Sequence, residues 1–396
     1  MSADVAWTTT GAGQGFRPAG RISPYFEGVQ RAGGGGYDRH LNTYVPWRYP
    51  EDPAEQYRAV TERATLWDTA CERQIRIRGR DALALADRLV TRDLRGFAPG
   101  RCAYGFVCDE AGFIIGDPVL LMPEEETIWL SISSTDLLLW VKGLALGSGA
   151  EVTVDEAPVA PLQLQGPASR ALLAGLSEVP IDDLRFFRCR RTRIAGIEAL
   201  VSRTGWSGEL GYEIYPFDMA PYPEGRERGM RLWEAILAAG ARYGLLVTPF
   251  LVDRAYESGL CVFNHNEGER LTPLEFWRDG LVDFQGGDFV GKAALQAARD
   301  AGGPQRRMVG LLAEEPGVRL QMGEWDLPVL AEGRQVGSSR RIGFSYALGR
   351  AIALALVARD CTGEGRRLQL AHPGGRAEMR VAALPFIDPE GRRARS

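Results

Sequence analysis

The segment Gly205-Trp206-Ser207-Gly208-Glu209-Leu210-Gly211-Tyr212-Glu213-Ile214-Tyr215 gathers two acids and three aromatic residues around one glycine-rich turn. A turn that needs positive φ explains the glycines. It does not explain the rest. Aromatic faces stack on a flat heterocycle, and a carboxylate accepts two N–H donors from such a ring's edge. From these residues alone, a ligand site and an ordinary turn between strands stay equally open. Strand alternation sets Glu213 opposite Tyr212 and Ile214, and we expect a bend or bulge where Tyr215 joins the side of Glu213. Asp117 precedes Pro118 and reads locally as a strand-start residue. The chain has only three histidines, His40, His265 and His372, and six cysteines without a CxxC pair, so no metal site is expected and a Ser-His triad has few members to draw on. His265 and Asn266 are loop candidates for a donor pocket, although a loop histidine is more often a surface hydrogen-bonder.

These groups need elements to position them. Ile75 and Ile77 alternate with Arg76 and Arg78 as a half-exposed strand, and Asp81 is an N-cap candidate for a helix that buries Ala82, Leu85, Ala86 and Leu89. Apolar runs at 118–122 and 127–132 predict paired strands, 134–146 a helix, and 151–155 and 160–165 two further strands. Strands at 197–202 and 212–215 flank the glycine-rich turn as a hairpin. A helix carrying Met230, Trp233, Leu237 and Ala241 on one side stops at Gly244. Residues 20–50, with four glycines in a row at 33–36, read as a loop. The DAGGPQ stretch at 300–305 reads as a linker, and strands with turns at Glu332-Gly333 and Gly374-Gly375 follow it.

With 396 residues, 25% charged and 45% hydrophobic, the chain has the composition of a globular protein of two or three units. A formal charge of −4 and dispersed arginines without interleaved aromatics exclude a nucleic-acid surface from the expectation. No stretch is long and apolar enough to span a bilayer, and the first 20 residues lack a signal pattern. A cytoplasmic protein with reduced thiols and no membrane partner is expected. Homodimerisation stays open.

The segment RTGWSGELGYEIYP at 203–216 resembles the TGYTGEDGFEI signature of the glycine-cleavage T-protein (aminomethyltransferase) family. Further matches follow in the family's order: ATLWDTACERQIRIRG at 64–79, DEAGFIIGDPVLLM at 109–122, YESGLCVFNHN at 256–266 and DFVGKAAL at 288–295. Together they span about residues 25–390. ERQ in place of the family's SHM, DPVLL in place of DDL, ISSTDLLLWVKGLA and the opening ISPYF are similar to the dimethylsulfoniopropionate demethylase-like branch.

The resemblance implies an α+β fold, a three-domain cloverleaf around a central folate channel. It places a folate-binding region of two interleaved α+β domains at 1–300, with its core at about 45–290, and a C-terminal β-barrel at 305–396. It implies tetrahydrofolate as cofactor and a small methylated compound as substrate. Glu213 falls on the acid that holds the pterin's amino and N–H edge, Trp206 on the aromatic lying along the folate, and Tyr215 on a third position near it. Asp117 falls on the catalytic acid beside the reacting nitrogens. The arginines of the family's ARDxLRLEAG stretch align with Leu251 and Ala255, leaving Arg254 as the basic residue there to meet the cofactor. The function implied is methyl transfer from a small S-, N- or O-methylated donor to N5 of tetrahydrofolate. The alternatives are glycine-cleavage aminomethyl transfer, which gives 5,10-methylene-tetrahydrofolate, and folate binding without catalysis. An iron–sulfur assembly factor of the same fold is disfavoured, since DFQGGDFVGK stands where that group carries KGCYxGQE.

Overall fold

The computed structural model describes residues 20–132, 137–260, 270–320 and 326–396. Two sheets share the N-terminal region. One runs in the order Cys189–Ile194, Ile197–Ser202, Gly211–Pro216, Leu162–Gln165, Thr65–Asp68, Leu246–Val247. The other runs Thr153–Glu156, Arg73–Arg78, Thr127–Ile132, Val119–Glu124, Cys102–Tyr104. The chain leaves the first sheet at Asp68, builds the whole of the second, and returns to the first at Leu162.

Alternation explains the second sheet. Ile75 and Ile77 face the helix Ala82–Leu89, whose Ala82, Leu85, Ala86 and Leu89 are all buried in the same core. Arg76 pairs across the sheet with Asp155, and Arg73 with Glu156. Leu121 and Trp129 lie on the opposite face from that core and pack against Leu200 and Tyr215 of the first sheet. The Trp129 and Tyr215 rings meet edge-on at 6.2 Å. The two sheets therefore touch at the strand that carries the glycine-rich signature.

The C-terminal region is a closed barrel of Arg306–Ala313, Arg350–Ala358, Arg334–Ser345, Pro328–Ala331, Arg367–His372 and Gly375–Ala382. After Arg350, its strand Arg350–Ala358 is apolar because both faces are covered. Ala351, Ala353, Ala355 and Val357 fill the barrel, whereas Leu354 and Leu356 point out against Phe106, Phe276 and Phe289. A second joint is polar. Helix Val252–Glu257 buries Glu257 completely, and that carboxylate accepts from the Tyr57 hydroxyl at 2.7 Å, the Ser345 hydroxyl at 2.6 Å and Ala347 N–H at 3.2 Å.

The α+β expectation with a C-terminal barrel is borne out, and several local readings are corrected. Residues 20–50 are not a loop. They form a helix, Phe26–Arg31, and a hairpin, Gly35–His40 with Thr43–Arg48, closed by Leu41 and Asn42 at φ 53° and 71°. Two left-handed residues match the twist of a two-residue hairpin, a turn that the Leu-Asn pair does not advertise. Asp81 precedes its helix but caps nothing with its side chain, which instead accepts from Glu151 N–H at 2.8 Å. The helix expected over 134–146 is described as Leu137–Ser148. Among the described residues, no helix is long and apolar enough to cross a membrane.

The buried joint gives a stability test. Glu257→Ala leaves Tyr57, Ser345 and Ala347 N–H without their shared acceptor and removes one of the two carboxylates beside the buried Arg254, at a cost of about 3–5 kcal/mol. Glu257→Gln, which still accepts hydrogen bonds, should cost less. Urea unfolding of the three proteins checks this, and an Ala variant as stable as the parent would show that the joint does not depend on this carboxylate.

Candidate functional site

Strand Gly211–Pro216 places Glu213 directly between Gln163 on one neighbouring strand and Ser202 on the other. Side chains of cross-strand partners share a face, so all three converge. Gln163 Nε2 donates to Glu213 Oε1 at 2.9 Å. The Tyr215 hydroxyl at 2.7 Å, the Ser202 hydroxyl at 3.3 Å and the Thr204 hydroxyl all donate to Oε2. The register is regular through Tyr215, so the expected bend or bulge is absent. Simple alternation by two already puts residues 213 and 215 on one face. Burial pushes the Glu213 carboxyl above the usual carboxylate range, while the Thr204, Tyr215 and Ser202 hydroxyls pull against that shift.

The turn is held from below. Ser207 Oγ donates to Gln165 Oε1 at 2.6 Å, and a Cβ on Gly211 would come within 2.2 Å of that same oxygen. Gly208, at φ +69°, leaves no room for a side chain beside Ser258. Trp206 donates its backbone N–H to Gln163 Oε1 at 3.3 Å, and its ring meets Tyr256 edge-on at 6.1 Å. Its indole Nε1 has no protein partner among the described residues.

Arg254 is fully buried and turned toward the protein. Its Nη2 and Nε donate to Glu209 Oε1 at 2.7 and 3.1 Å, and Nη1 donates to Ser258 and lies 3.7 Å from Glu257. Glu209 also takes Arg393 at 3.0 Å. The arginine therefore braces the signature turn through Glu209.

Asp117 lies between strands Ile114–Gly116 and Val119–Glu124 and accepts from the Tyr104 hydroxyl at 3.0 Å. A row of cross-strand partners, Gln74, Ser131, Val119 and Tyr104, crosses the second sheet on one face. Gln74 Nε2 donates to Ser131 Oγ at 2.9 Å, and the Ser131 hydroxyl lies close enough to the Tyr215 hydroxyl to favour its ionised form. Polar contacts thus link Glu213 through Tyr215 to one end of the row, and Asp117 hangs from its other end. Gln163, Thr204, Ser202 and Tyr104 were missed in the sequence reading. The one signal was Gln163 and Gln165 alternating with leucines in a strand that proves wholly buried. His265 and Asn266 lie outside the described residues.

The GCVT N-terminal domain of the glycine cleavage T-protein matches residues 27–285, and the T-protein C-terminal barrel domain matches 306–388. The chain belongs to the glycine cleavage T-protein family. It is 34% identical to the dimethylsulfoniopropionate demethylase DmdA of Ruegeria pomeroyi over 364 residues, covering 91% of this chain and 96% of that one. It is 32% identical to an aminomethyltransferase of Moorella thermoacetica over 338 residues, covering 84% and 88%. The crystal structure of the glycine cleavage system aminomethyltransferase T from Bartonella henselae has the same fold, with a TM-score of 0.81 at 20% identity over 93% of this chain and 98% of that one. Tetrahydrofolate-dependent one-carbon transfer is the chemistry of this T-protein family.

Within this T-protein relative a further acid lies on the first sheet. Asp68 is buried among Tyr25, Tyr37 and Tyr49, and burial pushes its carboxyl up to about 6 against hydrogen bonds from Ser23 and Ala70. A carboxyl whose folded pKa exceeds its unfolded value favours the folded state below the unfolded pKa and loses that contribution as pH rises through the folded one. Stability should therefore fall between roughly pH 4 and 6, and Asp68→Asn should flatten this part of the fall. Thermal melts across that range check it. An unchanged slope in the variant would remove Asp68 as a cause.

Proposed function

We propose that the protein binds tetrahydrofolate at Glu213 and transfers a one-carbon unit between N5 of the folate and a small donor. The observation that carries this reading is a buried carboxylate held by four hydrogen-bond donors on the signature strand. Its Oε1 takes only the Gln163 donor and so keeps acceptor capacity for the amino and N–H edge of a pterin, while three donors hold Oε2 in place.

Bound tetrahydrofolate supplies N5 as the atom that takes or gives the carbon. Glu213 fixes the pterin edge, Trp206 lies along the ring, and Tyr215 keeps the carboxylate aimed. Asp117, steadied by Tyr104, orients the reacting nitrogens and stabilises positive charge beside them. The protein's main contribution is alignment, which by intramolecular analogy supplies about 7 kcal/mol or more. Arg254 positions the signature turn through Glu209 rather than meeting the folate's outer end, because both are buried.

Two donors are compatible with this arrangement. The aminomethyl reading has the broader support, since aminomethyltransferases from several bacteria align over most of the chain. The methyl reading is supported by the demethylase relative and by Gly116, which stands where true T-proteins carry a second acid. Identifying the folate product by mass decides between them. Methyl transfer yields 5-methyl-tetrahydrofolate from a sulfonium, betaine or methoxy compound, whereas aminomethyl transfer yields 5,10-methylene-tetrahydrofolate and ammonia.

The residue roles are tested separately. Glu213→Ala should weaken tetrahydrofolate binding by about 1.5–3 kcal/mol, roughly ten- to a hundredfold, and unchanged affinity by calorimetry in a folded variant would falsify its assignment. Asp117→Asn should lower turnover far more than thermal stability. A variant as fast as the parent returns Asp117 to a purely local role at the strand start.

A further inference from the structure

Glu72 has no part in the roles above, yet it stands one side chain away from Glu213. It ends the short turn from Thr69, whose carbonyl accepts Glu72 N–H at 2.8 Å, at the crossing from the first sheet to the second. Gln163 Nε2, which donates to Glu213 at 2.9 Å, gives its second hydrogen to Glu72 Oε1 at 3.3 Å. Gln163 Oε1 takes Trp206 N–H, so this amide has no donor left for a ligand. The adjacent guanidinium of Arg73 is directed at Glu156 with contacts of 3.0 and 2.6 Å. The second oxygen of Glu72 has no protein partner among the described residues and is not sealed from solvent.

Two carboxyls therefore share one amide nitrogen. Burial first, and the charge of Glu213 next, push Glu72 well above the usual carboxylate range, with the Gln163 hydrogen bond opposing. One acid of such a pair keeps its proton. A protonated carboxyl differs from Glu213 in kind, because it has an O–H to donate.

The edge of a 2-amino-4-oxopteridine presents two N–H donors and one carbonyl. The Glu213 carboxylate matches the donors but would repel the carbonyl oxygen. We propose that Glu72 is a second, hydrogen-donating carboxyl of the folate pocket, which reads the 4-oxo group beside the edge held by Glu213. This inference rests on the folate reading of the site. It gives ERQ a function at the place where true T-proteins carry SHM.

Calorimetric titration with tetrahydrofolate under anaerobic conditions tests it on the parent, Glu72→Gln and Glu72→Leu. Glutamine keeps a donor of similar size, so its Kd should stay within about twofold of the parent. Leucine fills the space without a donor and should weaken binding ~3- to 10-fold, with ligand-free melting temperatures alike. If Gln and Leu variants both bind as the parent does, Glu72 does not touch the folate and the inference fails. Equal weakening in both would make Glu72 an anion and overturn the donor role. A parent protein that binds no tetrahydrofolate would instead overturn the folate reading itself, and this inference with it.

Discussion

A carboxylate taken out of water must be compensated by hydrogen bonds, and the signature region is arranged around that requirement at Glu213. Its direct cross-strand partners are Gln163 and Ser202, the turn supplies Thr204, and the strand itself supplies Tyr215 two residues on. Tyr215 is also where the two sheets meet, against Trp129. The residue that aims the acid therefore also sets the distance between the sheets, so the site and the packing of the N-terminal region are one construction. A domain shift that separated the sheets would loosen the carboxylate at the same time.

The second constraint is the disposal of buried positive charge. Arg254 is sealed from solvent and stands among Glu209, Glu257 and Ser258. Glu257 reaches the barrel through Ser345 and Ala347, and Glu209 reaches Arg393 in the segment after the barrel. Barrel, signature turn and C-terminal segment are thus joined through a small ionic cluster. Such clusters are expensive to break on one side and seldom better than apolar packing for stability alone. Their value here is geometric, because they fix where the turn stands relative to the barrel.

What could be read from the sequence followed from local periodicity and from ordered motifs. The helix face of Ala82, Leu85, Ala86 and Leu89 and the strand Ile197–Ser202 appear where the spacing put them. The α+β class with a C-terminal barrel was legible from the motif order and the pattern change after residue 305. The hairpin at 35–48 was not, since glycines and a Leu-Asn turn hid it. Glu213 stood out by composition. Gln163 and Glu72 did not, because they lie 50 and 91 residues from the groups they bond, and only the strand pairing brings them together. Arg254 was legible as a charge but not as a buried one, since sequence shows neither Glu209 beneath the turn nor the barrel closing over it.

In the proposed function, the acid on the signature strand and the acid beside Tyr104 face opposite parts of one bound reduced folate. A crystal structure of the complex with tetrahydrofolate tests it most directly. The expected result is a pterin whose amino and N3–H edge lies within hydrogen-bonding distance of the Glu213 carboxylate, with N5 turned toward Asp117. Folate bound away from Glu213, or bound there with N5 directed away from Asp117, would contradict it.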